Sequence, residues 1–279
     1  MRRLHLVELE DLPWLPAVLR DGATAYLEFV IAHSGQVDRL LPPLERVLRQ
    51  TGITEIVDLC SGSGGPIRAV VETLRGKGVV VHATLTDKYP NRSAMQEAAG
   101  KSNGAITFSE ASIDATRVPP NLRGVRTVFN AFHHFRPSDA LGVLKNAAET
   151  RTPIALFEMV SREPLQLVGL LFAPIAAMLT VPFWRPFRWS FLLLSWVLPL
   201  VPLVILWDGI VSWLRIYGET ELWELVRRIE SSDFEWEIGK IRLGGPPVHA
   251  VYLVGVPKHI SPNVSTAPGS ASPSQGLCL

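Results

Sequence analysis

The stretch EIVDLCSGSGGP at positions 55–66 constrains this chain more than any other. A run rich in β-branched residues over 53–57 ends on Asp58, and the sequence then turns to small residues: Cys60, Ser61, Gly62, Ser63, Gly64 and Gly65. This pattern predicts a buried strand entering a tight loop. In the IRAVVETLRGKG that follows, Ile67, Val70, Val71 and Leu74 fall at helical spacing, and Arg75, Gly76, Lys77 and Gly78 supply the stop. A strand, a glycine loop and a helix in succession present main-chain N–H groups at a helix N-terminus, where a ligand can approach without a Cβ in the way.

The carboxylate inside the motif separates the cofactors that such loops serve. A phosphate-binding loop needs a Gly-Lys-Ser/Thr ending, which is absent, and a dinucleotide-binding GxGxxG has no fixed carboxylate ahead of its glycines. Asp58, one spacer, then Cys60-x-Gly62-x-Gly64 resembles motif I of the class I S-adenosylmethionine (SAM)-dependent methyltransferases, with Cys60 where the family has its first glycine. The resemblance implies SAM as cofactor, held by Asp58, Cys60, Ser61, Gly62 and Gly64. It extends along the chain. VVVHATLTD reads as a second strand ending at Asp87, a carboxylate suited to accept hydrogen bonds from both ribose hydroxyls, as the matching family position does. A third strand from Ala105 leads to Asp114, Ala115 and Thr116, where the family sets a polar side chain against the adenine amino group. VRTVF runs to Asn130 and the aromatic loop AFHHF, and a fifth strand, IALFE, ends near Glu158. Polar residues thus collect at the carboxyl ends of five strands, where open α/β sheets bind ligands.

The expected fold class is α/β: a Rossmann-like methyltransferase sheet of parallel strands with a C-terminal antiparallel hairpin, helices on both faces and an apolar helical insertion. The hairpin is read from FEWEIGKIRL and HAVYLVGVP, alternating around residues 244–247. The expected layout is an N-terminal helical cap over 1–50, a SAM-binding core over 51–164, the insertion over 165–207, the end of the core over 208–258 and a disordered tail over 259–279. In the cap, helical stripes are broken by Gly22, Gly35 and Pro42-Pro43. The cap either covers the cofactor site, with Tyr26 and Glu28 as its polar candidates, or simply packs on the sheet. Thr220 reads as the cap of the last helix.

Methyl transfer needs an aligned acceptor, exclusion of water and, for an OH or acidic CH acceptor, a base. His133 and His134 in the FHHF loop are the nearest candidates, since histidine titrates close to neutrality; the pair could equally pack or cap the helix that follows. Glu158 and Asp208 are rival bases, each also readable as a structural hydrogen-bond acceptor.

Residues 165–181 and 191–207 carry no charge at all, and FWRPFRW lies between them. Each run approaches the roughly 20 apolar residues that span a bilayer. Spanning would export Arg185 and Arg188 against the positive-inside bias, and Pro174, Pro182, Pro199 and Pro202 break the runs into short helices suited to lying in the interface. Trp184, Trp189, Trp196, Trp207 and Trp213 read as an interfacial belt. The competing reading is an apolar cap over a greasy pocket in a soluble protein. The expected acceptor is a lipophilic small molecule or lipid, and the expected location is the cytoplasmic face of a membrane, or else the cytoplasm.

Composition narrows the partners. A net charge of +1 and a pI near 7.9 give no electrostatic case for nucleic acid. Two cysteines, Cys60 and Cys278, provide neither a disulfide framework nor a metal site, so a reducing cytosol and no metal are expected. The acidic residues following Arg2 and Arg3 argue against an export signal.

Overall fold

The computed structural model describes residues 3–230, 233–244 and 248–259. Its centre is a seven-stranded sheet of order β3-β2-β1-β4-β5-β7-β6. The strands β1 (Glu55–Asp58), β2 (His82–Leu85), β3 (Ile106–Phe108), β4 (Val125–Phe129) and β5 (Ile154–Glu158) run parallel. β7 (His249–Pro257) is antiparallel to β5 and to β6 (Phe234–Arg242). Every residue of β4 and β5 is buried, because helices cover both faces of the sheet. One layer joins α2 (Gln36–Thr51), α3 (Gly65–Gly76) and α4 (Arg92–Gly100), through Leu40, Leu44, Val70, Leu74 and Met95. The other layer joins α5 (Pro137–Glu149) and α9 (Glu219–Val226), through Val143, Leu144, Leu222 and Leu225. The strand order reverses between β1 and β4, so a crevice opens at their carboxyl ends.

Several elements depart from their expected bounds. α1 (Ala17–Ser34) passes straight through Gly22, and α2 passes through Pro42 and Pro43; of the three expected breaks only Gly35, at φ +62°, separates helices. The stripe Val37, Leu40, Leu41, Leu44, Val47 and Leu48 packs against the core, and this burial outweighs the hydrogen bonds the two prolines cannot make. α9 begins before Thr220, with the Gly218 N–H donating to the Glu221 carboxylate at 2.8 Å. β2 and β3 stop short of Asp87 and Asp114, which lie on the loops beyond. The centre of the expected hairpin turn, 245–247, and nearly all of the expected disordered tail lie outside the described residues.

The insertion comprises α6 (Pro164–Thr180), a 3-10 turn, α7 (Trp189–Leu192), a π-helical turn and α8 (Leu200–Arg215). Pro174 does not break α6, whose helix continues on either side of it. α6 packs on α8, and α8 packs on α1. At the latter crossing a Cβ on Gly22 would come within 2.8 Å of Val201 Cγ2, so this glycine permits close approach rather than a break. Trp184 and Trp213 are not part of any surface belt. Trp184 is fully buried against Tyr26 and Phe191, and Trp213 is buried with its Nε1 donating to the Glu163 carbonyl. Trp189, Trp196 and Trp207 are exposed, as are Val168, Phe172, Ile175, Leu179 and Leu203.

Candidate functional site

The glycine loop starts from a buried carboxylate. Asp58 closes β1 at 3% exposure and accepts a hydrogen bond from Thr127 Oγ1 at 2.6 Å. Burial pushes its pKa up to about 7 against the help of Thr127 and Ser61. Its main-chain carbonyl accepts from Ser61 Oγ, the Thr86 N–H and Thr86 Oγ1, which ties the loop to the end of β2. Cys60, Gly62 and Gly64 take φ values of +56°, +54° and +79°, so the first motif position needs a left-handed backbone even though it carries a side chain. Burial, and then the nearby Asp87 and Asp58 carboxylates, push the Cys60 thiol pKa up.

Asp87 joins the loop to the second strand. Its Oδ2 accepts the Gly62 N–H at 3.0 Å and its Oδ1 the Tyr89 N–H at 2.8 Å. Asp114 lies on the neighbouring loop, where Thr116 and then Lys88 hold its carboxyl near a pKa of about 2. The two loops are joined by the Ile113 N–H donating to the Asp87 carbonyl. Ala115 is buried in the α5 layer. Asn130, at φ +50°, uses its Oδ1 to accept the Met159 N–H at 2.7 Å, so it ties the ends of β4 and β5 together. From above, Glu28 of α1 accepts a bond from Ser63 Oγ at 3.1 Å. Tyr26 instead faces Trp184 under the insertion.

At the ends of β4 and β5 the structure brings His133, His134 and Glu158 together. Glu158 accepts the His133 N–H at 2.9 Å and pairs with His133 Nδ1 at 2.8 Å. The extended N-terminal strap, residues 3–16, adds groups that no sequence pattern announced. Glu8, 4% exposed, lies 3.5 Å from His133 Nε2 and 3.4 Å from His134 Nε2, and Asp11 lies 3.3 Å from His134 Nδ1. Arg215 of α8 bridges Glu8 and Asp11 at 3.1 and 3.0 Å. Asp208 accepts the Leu9 and Glu10 N–H groups, so it anchors the strap. Arg3 donates to the His133 and Phe135 carbonyls.

Electrostatics follow from this packing. Burial alone would lower the pKa of His133, but Glu158 and then Glu8 raise it to about 10. Burial likewise works against Asp11, yet His134 and Arg215 hold it at about 2. Burial, with Asp208 and Glu8 nearby, pushes Glu10 up to about 8. His134 is about a third exposed and oriented by Glu8 and Asp11, which leaves it the imidazole able to meet an acceptor.

No family model and no curated protein matches the chain. Among solved structures it is similar to the S-adenosylmethionine-dependent methyltransferase SibL in its apo form, at a TM-score of 0.51 and 14% identity, covering 92% of this chain and 63% of that one. It also aligns with the plantazolicin methyltransferase BpumL in complex with SAH, at a TM-score of 0.49 and 13% identity over 86% of this chain and 88% of that one. With its parallel strands closed by an antiparallel pair and its glycine loop at the switch point, the chain has the fold of the class I SAM-dependent methyltransferases.

Proposed function

We propose that this protein transfers a methyl group from SAM to a lipophilic small molecule or lipid at the cytoplasmic face of a membrane. The observation that carries the reading is the bond from the Gly62 N–H to Asp87 Oδ2 at 3.0 Å. It holds a carboxylate at the mouth of the glycine loop with lone pairs left to accept the hydroxyls of a ribose. Asp114, oriented by Thr116 and Lys88, is suited to the adenine side of a nucleoside. SibL, whose overall fold is shared, is named for the same chemistry. His134 stands to take the acceptor's proton, with Glu8 and Asp11 offsetting the charge it gains. The exposed apolar face of α6 and α8 favours a lipophilic acceptor that arrives from a bilayer.

Calorimetric titration with SAM, S-adenosylhomocysteine and NADH tests the cofactor, with SAM and S-adenosylhomocysteine expected to bind and NADH not. Asp87→Ala is expected to weaken SAM binding by about 1.5–3 kcal/mol, the worth of hydrogen bonds to a charged acceptor. Unchanged affinity in that variant would remove Asp87 from the cofactor site. Incubating the enzyme and labelled SAM with a total lipid extract then tests the acceptor, and label confined to water-soluble compounds would overturn the lipophilic assignment.

A further inference from the structure

We infer that Glu8, His133 and His134 form a binding site for a divalent transition-metal ion of the zinc class. Methyl transfer does not require such a site, and the inference does not rest on that reading; with an ion bound through His134 Nε2, water on the ion rather than His134 would take the acceptor's proton. Two cysteines in the chain exclude a thiolate site, but they say nothing of an imidazole–carboxylate one.

The first argument is orientation. Glu158 holds His133 by its main-chain N–H and by Nδ1 at once, which fixes the ring and turns Nε2 toward Glu8. A carboxylate on the far nitrogen is the usual outer support of a metal-binding histidine. The second argument is an unsatisfied atom. His133 is buried, and its Nε2 has no hydrogen-bond partner among the described residues although it is aimed at the Glu8 carboxylate.

Distance is the third argument. His133 Nε2 is 3.5 Å and His134 Nε2 is 3.4 Å from the nearer Glu8 oxygens. Both exceed the usual span of about 2.7–3.2 Å for a hydrogen bond. They run to different oxygens, Oε1 for His133 and Oε2 for His134, and each is close to the edge, about 3.4 Å, of a tetrahedron whose ligands sit about 2.0–2.2 Å from a central ion, so the carboxylate offers one oxygen to each ring. One donor atom from each of the three residues lies within 4.8 Å of the others. Two imidazole nitrogens and one carboxylate oxygen are a zinc-type donor set that leaves a position for water or for an oxygen of the acceptor.

The surroundings support a cation. Ser212 Oγ and Arg215 hold Glu8 Oε1 at 3.0 and 3.1 Å, which positions the carboxylate while Oε2 still faces His134. Arg215 is one positive charge among the carboxylates of Glu8, Asp11 and Glu158, so once an ion displaces the proton that Glu158 and Glu8 favour on His133 the cluster is net negative. His134, about a third exposed, gives an ion a way in.

The test uses full-length, tag-free protein stripped with a chelator and titrated with cobalt chloride. One equivalent of cobalt is expected to bind with the visible d–d absorption of a tetrahedral ion, and zinc is expected to displace it. Glu8→Gln and His134→Ala are each expected to lower the affinity at least tenfold, while His249→Ala, which removes a surface partner of Glu163, leaves it unchanged. Should the buried Glu8 variant fail to fold, the partly exposed His134 variant decides. Absence of tetrahedral bands, or bands that persist in His134→Ala, overturns the inference. SAM titrations of the same samples keep a failed metal site distinct from a failed cofactor site.

Discussion

Cys60 holds a φ of +56°, a conformation that costs a residue with a Cβ about 1–2 kcal/mol. Glycine relieves that cost but adds about 0.5–1 kcal/mol of chain entropy. Cys60→Gly is therefore expected to stabilise by about 0–1.5 kcal/mol and to keep SAM affinity. A Cβ at Gly64 would sit 2.9 Å from Leu85 Cδ1, whereas one at Gly62 meets nothing within 4 Å. Gly64→Ala should thus cost about 1–3 kcal/mol of folding stability, and Gly62→Val, which meets no neighbour but is strained at φ +54°, should cost about 1–2 kcal/mol while abolishing SAM binding. Urea melts paired with calorimetry separate the two; equal behaviour of the glycine variants would mean that the loop does not face the ligand. Asp58 gives a pH test. Burial raises its folded pKa from 3.8 to about 7, so the native state holds the extra proton and stability falls as pH rises between those values. In the cofactor-free protein, Asp58→Asn should flatten that slope and be the more stable form at pH 8, and an unaltered slope in urea melts from pH 4 to 8 would contradict this. The placement of Asp58, Gly62, Gly64 and Asp87 around one loop was legible because it follows from one local stretch and its strand ends. Glu8, Asp11 and Arg215 were not, since the ion pairs joining them to the FHHF loop or to each other span distant parts of the chain that no local pattern records.

Elements show where local rules yield to packing. The five strands and the closing antiparallel pair could be read from apolar runs and their spacing, whereas the order β3-β2-β1-β4-β5-β7-β6 is set by pairings between distant segments that no local period records. Breaks at Gly22 and Pro42-Pro43 were misread, because propensity is weak against a packed face. Gly22 now has a specific role, since it lets α1 and α8 meet where a Cβ would strike Val201. Gly22→Val should push the insertion off α1 and cost about 1–3 kcal/mol, the range for an overpacked contact. Limited proteolysis should then cut residues 184–199 earlier than in the parent, while SAM affinity holds because α3 and the glycine loop keep their own packing on the sheet. Unchanged melting and proteolysis would mean that α8 accommodates the added methyls by moving.

For the whole molecule, the placement of α1 beneath the insertion bears on the proposed membrane association and the form it would take. α6 and its following turn, Pro164–Phe183, form a 20-residue segment long and apolar enough to cross a bilayer, while the α7–α8 pair is bent by 78°. The inner side of α8 is packed on α1, and Arg188 pairs with Asp21 of that helix at 2.7 Å. A spanning hairpin would draw Arg20, Asp21 and Glu28 of α1 toward the hydrocarbon, a cost of several kcal/mol for charged side chains. In the proposed in-plane arrangement the exposed side chains of Phe172, Leu179, Trp189, Trp196 and Trp207 would meet lipid while α1 stayed in water. At about 25 cal/mol per Å² of apolar surface, burying a few hundred Å² outweighs any surface charge pair. Binding to neutral phosphatidylcholine vesicles should therefore survive high salt and require detergent for release. Tryptophan emission should shift to the blue on binding, and brominated lipid should quench it; Leu179→Asp with Trp196→Ser should weaken flotation with vesicles at least tenfold. With Cys60 and Cys278 replaced by alanine, a cysteine at position 186 should label from the cytosolic side of inverted vesicles and stay inaccessible to impermeant reagent outside intact cells. Labelling from outside would establish a spanning hairpin, and protein that stays in the supernatant without detergent would leave the apolar face to a protein partner rather than to a bilayer.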